Sequence, residues 1–100
     1  MCRRLCDRMC TKVKVAEKEK IFKALGDANR LIIMDLLKGT ELSAGRILQQ
    51  VKMGQSTLSH HMKILCDSGI VNARKDSRWV YYTINSDVVK QVSADTLGWL

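Results

Sequence analysis

The chain has 100 residues, of which 46% are hydrophobic, and a formal net charge of +7. This length suits one domain with a single modest core, and the positive charge favours a polyanionic partner without requiring one. No apolar run approaches the ~20 residues that cross a bilayer, and no phosphate-binding glycine loop or nucleophile with a base partner is found. We therefore expect neither a membrane protein nor an enzyme.

The first residues differ in character from the rest of the chain. Residues 1–10, MCRRLCDRMC, carry charges where a secretory signal needs an apolar stretch, so we expect a cytoplasmic protein with reduced thiols. There is no proline and no repeat or low-complexity linker. We divide the chain into a basic, cysteine-containing extension, residues 1–14, and one folded domain, residues 15–100.

Three helices are predicted in the first half of the folded domain. The first begins near Val15 and ends at Gly26. The second covers residues 28–38 after the N-cap Asp27, and the third follows the N-cap Ser43 to about residue 51. The residues expected to face inward are Ile21, Phe22, Leu25, Leu31, Ile32, Met34, Leu36, Leu37, Ile47, Leu48 and Val51.

The fourth predicted helix has two faces of different character. Leu58, Met62 and Leu65 recur at spacings of four and three and form an apolar stripe. The opposite face is polar or basic and suits contacts to base edges and phosphates of DNA. Gly54 is the expected N-cap of this helix, and Gly69 ends it. Its candidate DNA-contacting residues, which we call the reading face, are Gln55, Ser56, Thr57, Ser59, His60 and Lys63.

Two strand-like runs follow the fourth helix. They cover residues 70–74 and Trp79–Ile84 and are joined by a charged turn at residues 75–78. The candidate phosphate contacts of this hairpin are Arg74, Lys75 and Arg78. The aromatic residues of which some are expected to pack the hairpin onto the core are Trp79, Tyr81 and Tyr82. A polar helix followed by a basic hairpin is typical of a winged helix-turn-helix.

A last helix is predicted from Asp87, with aliphatic residues on several faces and Trp99 near its end. A chain of this size has few places to bury them, so we expect a homodimer through the first and last helices. The alternative is that the last helix only covers its own core. The expected fold is mostly α with a small hairpin, in the order α-α-α-α-β-β-α, and a dimer would place two reading helices ~34 Å apart on DNA.

Two segments of the sequence resemble a known family. QSTLSHHMKILCDSGIV followed by ARKDSRWVYYTI resembles the recognition helix and wing of the ArsR/SmtB repressors, and FKALGDANRLIIMDLL resembles the start of their second helix. The resemblance covers roughly residues 17–85. It implies a homodimeric repressor that binds an operator in double-stranded DNA and leaves it when an inducer binds. It also assigns DNA contacts to Gln55, Ser56, Ser59, His60, Arg74, Lys75 and Arg78.

The two best-known metal sites of that family are missing from this sequence. Many members carry Cys-x-Cys in the third helix, where this chain has Ser43 and Gly45. Zinc-sensing members place Asp, His, His and Glu on the last helix, whereas residues 86–100 contain Asp87 and Asp95 but no histidine. Any inducer must therefore be bound elsewhere.

The cysteines of the extension are a candidate sensing site. Cys2, Cys6 and Cys10 are four residues apart and would form one stripe on a helix. Neighbouring arginines favour thiolates, which bind As(III), Cd(II) or Zn(II) or oxidise to a disulfide. The alternative is that the extension has no specific role. Cys66 is expected to be a small buried residue, and His61 to bond within the protein.

The sequence therefore predicts a homodimeric, ArsR-type repressor that occludes a promoter. A thiol-reactive metal(loid) or an oxidant acting at the N-terminal cysteines is the predicted cause of release. Two alternatives stay open: an inducer-independent (auto)repressor, and a protein-interaction module that reads no DNA. Replacing Lys63, Lys75 and Arg78 would leave such a module unaffected, whereas a DNA-binding protein would lose affinity.

Overall fold

The computed structural model describes the backbone of residues 4–100 and the side chains of residues 15–100. Five helices and three strands follow one another along the chain. They are α1 (Arg4–Leu25), α2 (Ala28–Leu36), β1 (Leu42–Ser43), α3 (Ala44–Gln50), α4 (Gln55–Ser68), β2 (Val71–Asp76), β3 (Trp79–Ile84) and α5 (Ser86–Leu97). The expected winged helix-turn-helix is confirmed, with β1 as an additional strand. None of the helices in the described part of the chain is long and apolar enough to span a membrane.

Helix ends with strong local signals lie where the sequence places them. The Asp27 side chain accepts a hydrogen bond from the backbone N–H of Asn29 at 2.9 Å and caps α2. The Ser43 hydroxyl accepts from the backbone N–H of Arg46 at 3.2 Å and caps α3. Gly69 ends α4 with a φ of 89°, a left-handed conformation that glycine adopts without steric cost. These caps fix the short connections between the helices.

Other helix boundaries differ from the expected ones. Helix α1 begins at Arg4 instead of near Val15, so it extends into the segment assigned to the extension. Helix α2 ends at Leu36, two residues early, and the chain then turns through Gly39, whose φ is 69°. Helix α5 begins one residue before Asp87 because the Asn85 side chain caps it by accepting from the backbone of residue 88.

The core lies where α1, α2, α3 and α4 meet. Its fully buried large side chains are Ile33, Leu37, Ile47 and Leu65, one each from α2, the residue after it, α3 and α4. Helix α1 contributes Ile21 and Ala24, and Ile70 and Val71 join at the start of the hairpin.

Three residues expected to face inward do not. Leu31 and Ile32 are each 49% exposed, and Phe22 is also exposed. A run of five apolar residues wraps around α2, and only the side that includes Ile33 and Leu37 reaches the core.

The sheet has three antiparallel strands in the order β1-β3-β2. Strands β2 and β3 pair over six residues, from Val71 opposite Ile84 to Asp76 opposite Trp79. The turn is therefore Ser77-Arg78 alone, with Ser77 at a φ of 61°, and the expected turn at residues 75–78 was two residues too long. We call residues 71–84 the wing.

The C-terminal end of the chain meets α1. The rings of Phe22 and Trp99 lie 6.3 Å apart, and Lys18 pairs with Asp95 at 3.3 Å. Trp99 is nevertheless 71% exposed, and Val15 and Leu97 are exposed as well. Apolar surface thus remains uncovered on α1 and at the C-terminus.

Candidate nucleic-acid interface

Helix α4 presents the predicted reading face to solvent. Its apolar stripe, Leu58, Met62 and Leu65, is buried, and this burial fixes the rotation of the helix about its axis. All six residues of the reading face are exposed. The N-cap Gly54 makes no side-chain hydrogen bond to the helix, so the first backbone N–H groups of α4 have no partner from the cap.

The reading-face side chains are also uncommitted within the protein. Among residues 15–100, none of the six donates or accepts a side-chain hydrogen bond, and Lys63 has no acidic partner within 4 Å. Two hydroxyl groups, an amide, an imidazole and an ammonium group are thus free to contact a ligand. Such groups suit base edges and phosphates.

His61, next to the reading face, serves a different purpose. It is only 7% exposed, and its Nδ1 atom lies 3.1 Å from an Arg30 guanidinium nitrogen. The same guanidinium donates to the backbone oxygens of Ala24 and Lys23 at the end of α1. Arg30 therefore joins α1, α2 and α4. Sequence reasoning expected His61 to bond internally but missed Arg30, because the two residues are 31 positions apart.

The tip of the wing carries two available cations. Within residues 15–100, neither Lys75 nor Arg78 has an acidic group within 4 Å, and the Arg78 guanidinium lies 5.8 Å from the ring centre of Trp79. Trp79 is 51% exposed, whereas Tyr82 packs partly against the core. Tyr82 is thus an aromatic residue that attaches the hairpin to the domain, and burial raises the pKa of its hydroxyl.

Arg74, the third predicted wing cation, is engaged by acidic side chains. Its Nε and one terminal nitrogen donate to the two carboxylate oxygens of Glu41 at 3.1 and 2.9 Å. Asp76 lies 3.6 Å away, and the guanidinium stacks 4.7 Å from the Tyr81 ring centre. The hydrogen bonds from Arg74 lower the pKa of the Glu41 carboxyl. Sequence reasoning did not find Glu41, which is 33 positions from Arg74.

The described side chains hold no evident metal site. Within residues 15–100, no cluster of three or more His, Cys, Asp or Glu side chains is arranged to bind a metal ion. The Cys66 thiol is partly buried, and burial together with Asp67 raises its pKa, which disfavours the thiolate. The predicted Cys2 lies outside the described residues, and so do the side chains of Cys6 and Cys10.

An exposed polar helix beside a basic hairpin, on a helical core of this order, defines a winged helix-turn-helix DNA-binding protein. The sequence pattern described as "Bacterial regulatory protein, arsR family" matches residues 27–73. An HTH-type transcriptional regulator of Methanocaldococcus jannaschii is 41% identical over 80 residues, which are 79% of this chain and 90% of the relative. The chain therefore belongs to the ArsR family of transcriptional regulators.

Two further proteins are similar over most of their length. The arsenical resistance operon repressor of Staphylococcus aureus is 41% identical over 76 residues, 76% of this chain and 73% of that protein. The homodimeric winged helix-turn-helix DNA-binding domain of a possible ArsR-family regulator from Mycobacterium bovis superposes with a TM-score of 0.72. It is 30% identical and covers 85% of this chain and 84% of its own.

Proposed function

We propose that this regulator is a homodimeric repressor that occludes a promoter by binding a palindromic operator. The observation that carries the proposal is the reading face, whose six side chains are exposed and uncommitted while the opposite face of α4 is buried. The net charge of +7 supports a polyanionic partner. The similarity to an arsenical resistance operon repressor supports repression as the outcome of binding.

The proposed dimer pairs α1 and α5 of two chains. Its support is the apolar surface left exposed at Phe22, Leu97 and Trp99, which a monomer would present to water. The similar M. bovis domain is homodimeric. A two-fold axis would place two α4 helices about 34 Å apart, the distance between successive major grooves on one side of DNA. Such a dimer reads a palindrome.

In the proposed complex each α4 lies in a major groove. Gln55, Ser59 and His60 contact base edges, while Ser56, Thr57 and Lys63 bind phosphates or the edge of the groove. Lys75 and Arg78 at the wing tip bind phosphates beside the minor groove. Arg74 belongs to the same predicted set, and its engagement by Glu41 is the subject of the next section.

The test is a titration of reduced protein into a fluorescent duplex from its own upstream region, followed by anisotropy at several salt concentrations. Each lost phosphate contact reduces the slope of log Kobs against log salt by about 0.9. We expect Lys63→Met to lower affinity and reduce the slope. Lys90→Met, which removes the same charge from α5, is the matched control and should change neither by a comparable amount.

Two results would reject this function. Equal affinity for the upstream duplex and for a shuffled duplex would remove operator recognition. An unchanged salt slope after replacement of Lys63, Lys75 and Arg78 together would instead support the protein-interaction module. A transcription assay with the same promoter then separates repression from activation.

We further propose that a thiol-reactive metal(loid) or an oxidant releases the repressor through Cys2, Cys6 and Cys10. The spacing of these cysteines and the similarity to an arsenical resistance repressor support this proposal. Arsenite added to the preformed complex should raise its Kd in the wild-type protein but not after replacement of all three cysteines by serine. Cys66→Ser is the control, because the raised pKa of that thiol disfavours reaction. Release in neither protein, also with cadmium, zinc and peroxide, would favour the inducer-independent repressor.

A further inference from the structure

We propose that Glu41, Arg74 and Tyr81 form a clamp that holds the wing in its DNA-binding orientation, and that Arg74 acts through this clamp instead of through a phosphate. The proposal rests on the proposed DNA-binding function and assigns a positioning role to Glu41, an acidic residue next to β1. It also separates Arg74 from the two other cations of the wing.

The topology of the sheet brings these residues together. Ser43 of β1 and Arg74 of β2 both stand opposite Tyr81 of the central strand β3, so the three share one face of the sheet. Glu41 precedes Ser43 by two positions, which places it on the same face. The Arg74 side chain crosses the Tyr81 ring at 4.7 Å and reaches the Glu41 carboxylate beyond it. One side chain thus spans all three strands.

The contacts of Arg74 leave little for a phosphate. Both carboxylate oxygens of Glu41 accept from the guanidinium in a bidentate arrangement, and Asp76 adds a second negative charge at 3.6 Å. A DNA phosphate would have to displace Glu41 and would approach two carboxylates. Lys75 and Arg78 meet no such obstacle within the described side chains.

The other end of the clamp is attached to the domain. Glu41 is followed by Leu42, which packs against the core, and by Ser43, which caps α3. Helix α3 leads directly into the turn before α4. A wing held to this segment keeps a fixed orientation relative to the reading face, so that its tip and α4 can engage one DNA duplex together.

Glu41→Gln distinguishes a clamp from a phosphate contact by the sign of its effect. Removing a negative charge near DNA ordinarily tightens binding. If the clamp positions the wing, Glu41→Gln instead weakens operator binding about threefold, a size consistent with loss of a surface ion pair, and Arg74→Met gives a similar loss. Both variants change the salt slope by less than about half of the 0.9 of one phosphate contact, and the double variant is no worse than either single one.

Glu19→Gln, which removes the same charge from α1, is the control and should not weaken binding. Tighter binding by Glu41→Gln with a steeper salt slope, or a slope reduced by about 0.9 in Arg74→Met, would overturn the clamp while leaving the repressor function intact. Failure of the wild-type protein to prefer its operator would overturn the function itself. Amide relaxation of the DNA-free protein gives a separate check, since Glu41→Gln should increase wing-tip motion at residues 75–78 without changing α4; an unchanged tip would overturn the clamp.

Discussion

Glu41 and Arg74 show how one ion pair can be tested without DNA. The hydrogen bonds from Arg74 lower the pKa of the Glu41 carboxyl below its usual value. A carboxyl whose pKa is lowered by folding stabilises the protein above its unfolded pKa, and that stabilisation is lost as the pH falls through the folded pKa. The pair therefore matters at neutral pH and is lost in acid, below about pH 4.3.

We predict that carbon-detected NMR titration gives the Glu41 carboxyl a midpoint below that of a model glutamate. In Arg74→Met the midpoint should rise towards the ordinary value of about 4.3, because the hydrogen-bond donor is gone. Lys75→Met, one residue along the wing, is the control and should leave the Glu41 midpoint close to that of the wild type. An equal rise in both variants would mean that general positive charge, and not the hydrogen bonds, lowers the pKa.

The residues of the reading face were predictable because helical spacing separates them from Leu58, Met62 and Leu65. Glu41 and Arg30 were not predictable, since their partners lie 33 and 31 positions away and no local pattern marks them. The sequence could therefore propose which side chains meet DNA. It could not identify the residues that position those side chains.

At the scale of the helices, Arg30 is the contact that joins three of them. Its guanidinium donates to the end of α1 and lies 3.1 Å from His61 Nδ1 on α4. We predict that Arg30→Met lowers the free energy of unfolding by about 1–3 kcal/mol, because a charged hydrogen-bond donor is lost and the buried His61 nitrogen is left unpaired. Urea unfolding at fixed protein concentration measures the change.

The control for Arg30 is Arg46→Met, since Arg46 is exposed on α3 and its side chain makes no hydrogen bond among the described residues. A surface change of this kind should stay within about 0.5 kcal/mol. Equal losses in the two variants would show that the junction of α1, α2 and α4 does not depend on Arg30.

The core makes a second prediction at this scale. Ile47 of α3 is fully buried, and Ile47→Ala should cost about 2–5 kcal/mol because it leaves a cavity between α3 and its neighbours. Ile32→Ala removes the same atoms from a half-exposed site on α2 and should cost about 1 kcal/mol or less. Similar losses in urea unfolding would contradict the observed rotation of α2.

The elements were predictable to different degrees for physical reasons. Asp27, Ser43 and Gly69 cap helices through contacts within three residues, so sequence alone places them. Strand β1 has only two residues and exists because it pairs with β3, about forty positions later, which no local signal reveals. The run of apolar residues in α2 allowed several rotations, and only the packing of Ile33 and Leu37 selects one.

At the scale of the whole molecule, the exposed apolar surface on α1 and at the C-terminus predicts the assembly. Trp99→Glu places a charge where the proposed partner chain would pack, so sedimentation velocity should show monomers at concentrations where the wild type is dimeric. Operator affinity should fall with it, because one reading helix then acts alone. Trp79→Glu is a matched control, since Trp79 is comparably exposed but lies on the wing.

A Trp99→Glu protein that remains dimeric would place the interface elsewhere, and the half-exposed Leu31 and Ile32 of α2 would be the next surface to examine. Dissociation of Trp79→Glu as well would mean that the wing takes part in the assembly. Either result would change the expected spacing of the two reading helices.

The reading face has a consequence for how such a regulator can diversify. Its six side chains make no hydrogen bond within the described residues, and the buried stripe behind them carries the packing of α4. Recognition and folding thus draw on separate residues of one helix. After gene duplication, a copy can accumulate substitutions at these positions and acquire a new operator while retaining its melting temperature and its dimer partner. Divergence of target genes then requires no compensating change in the core.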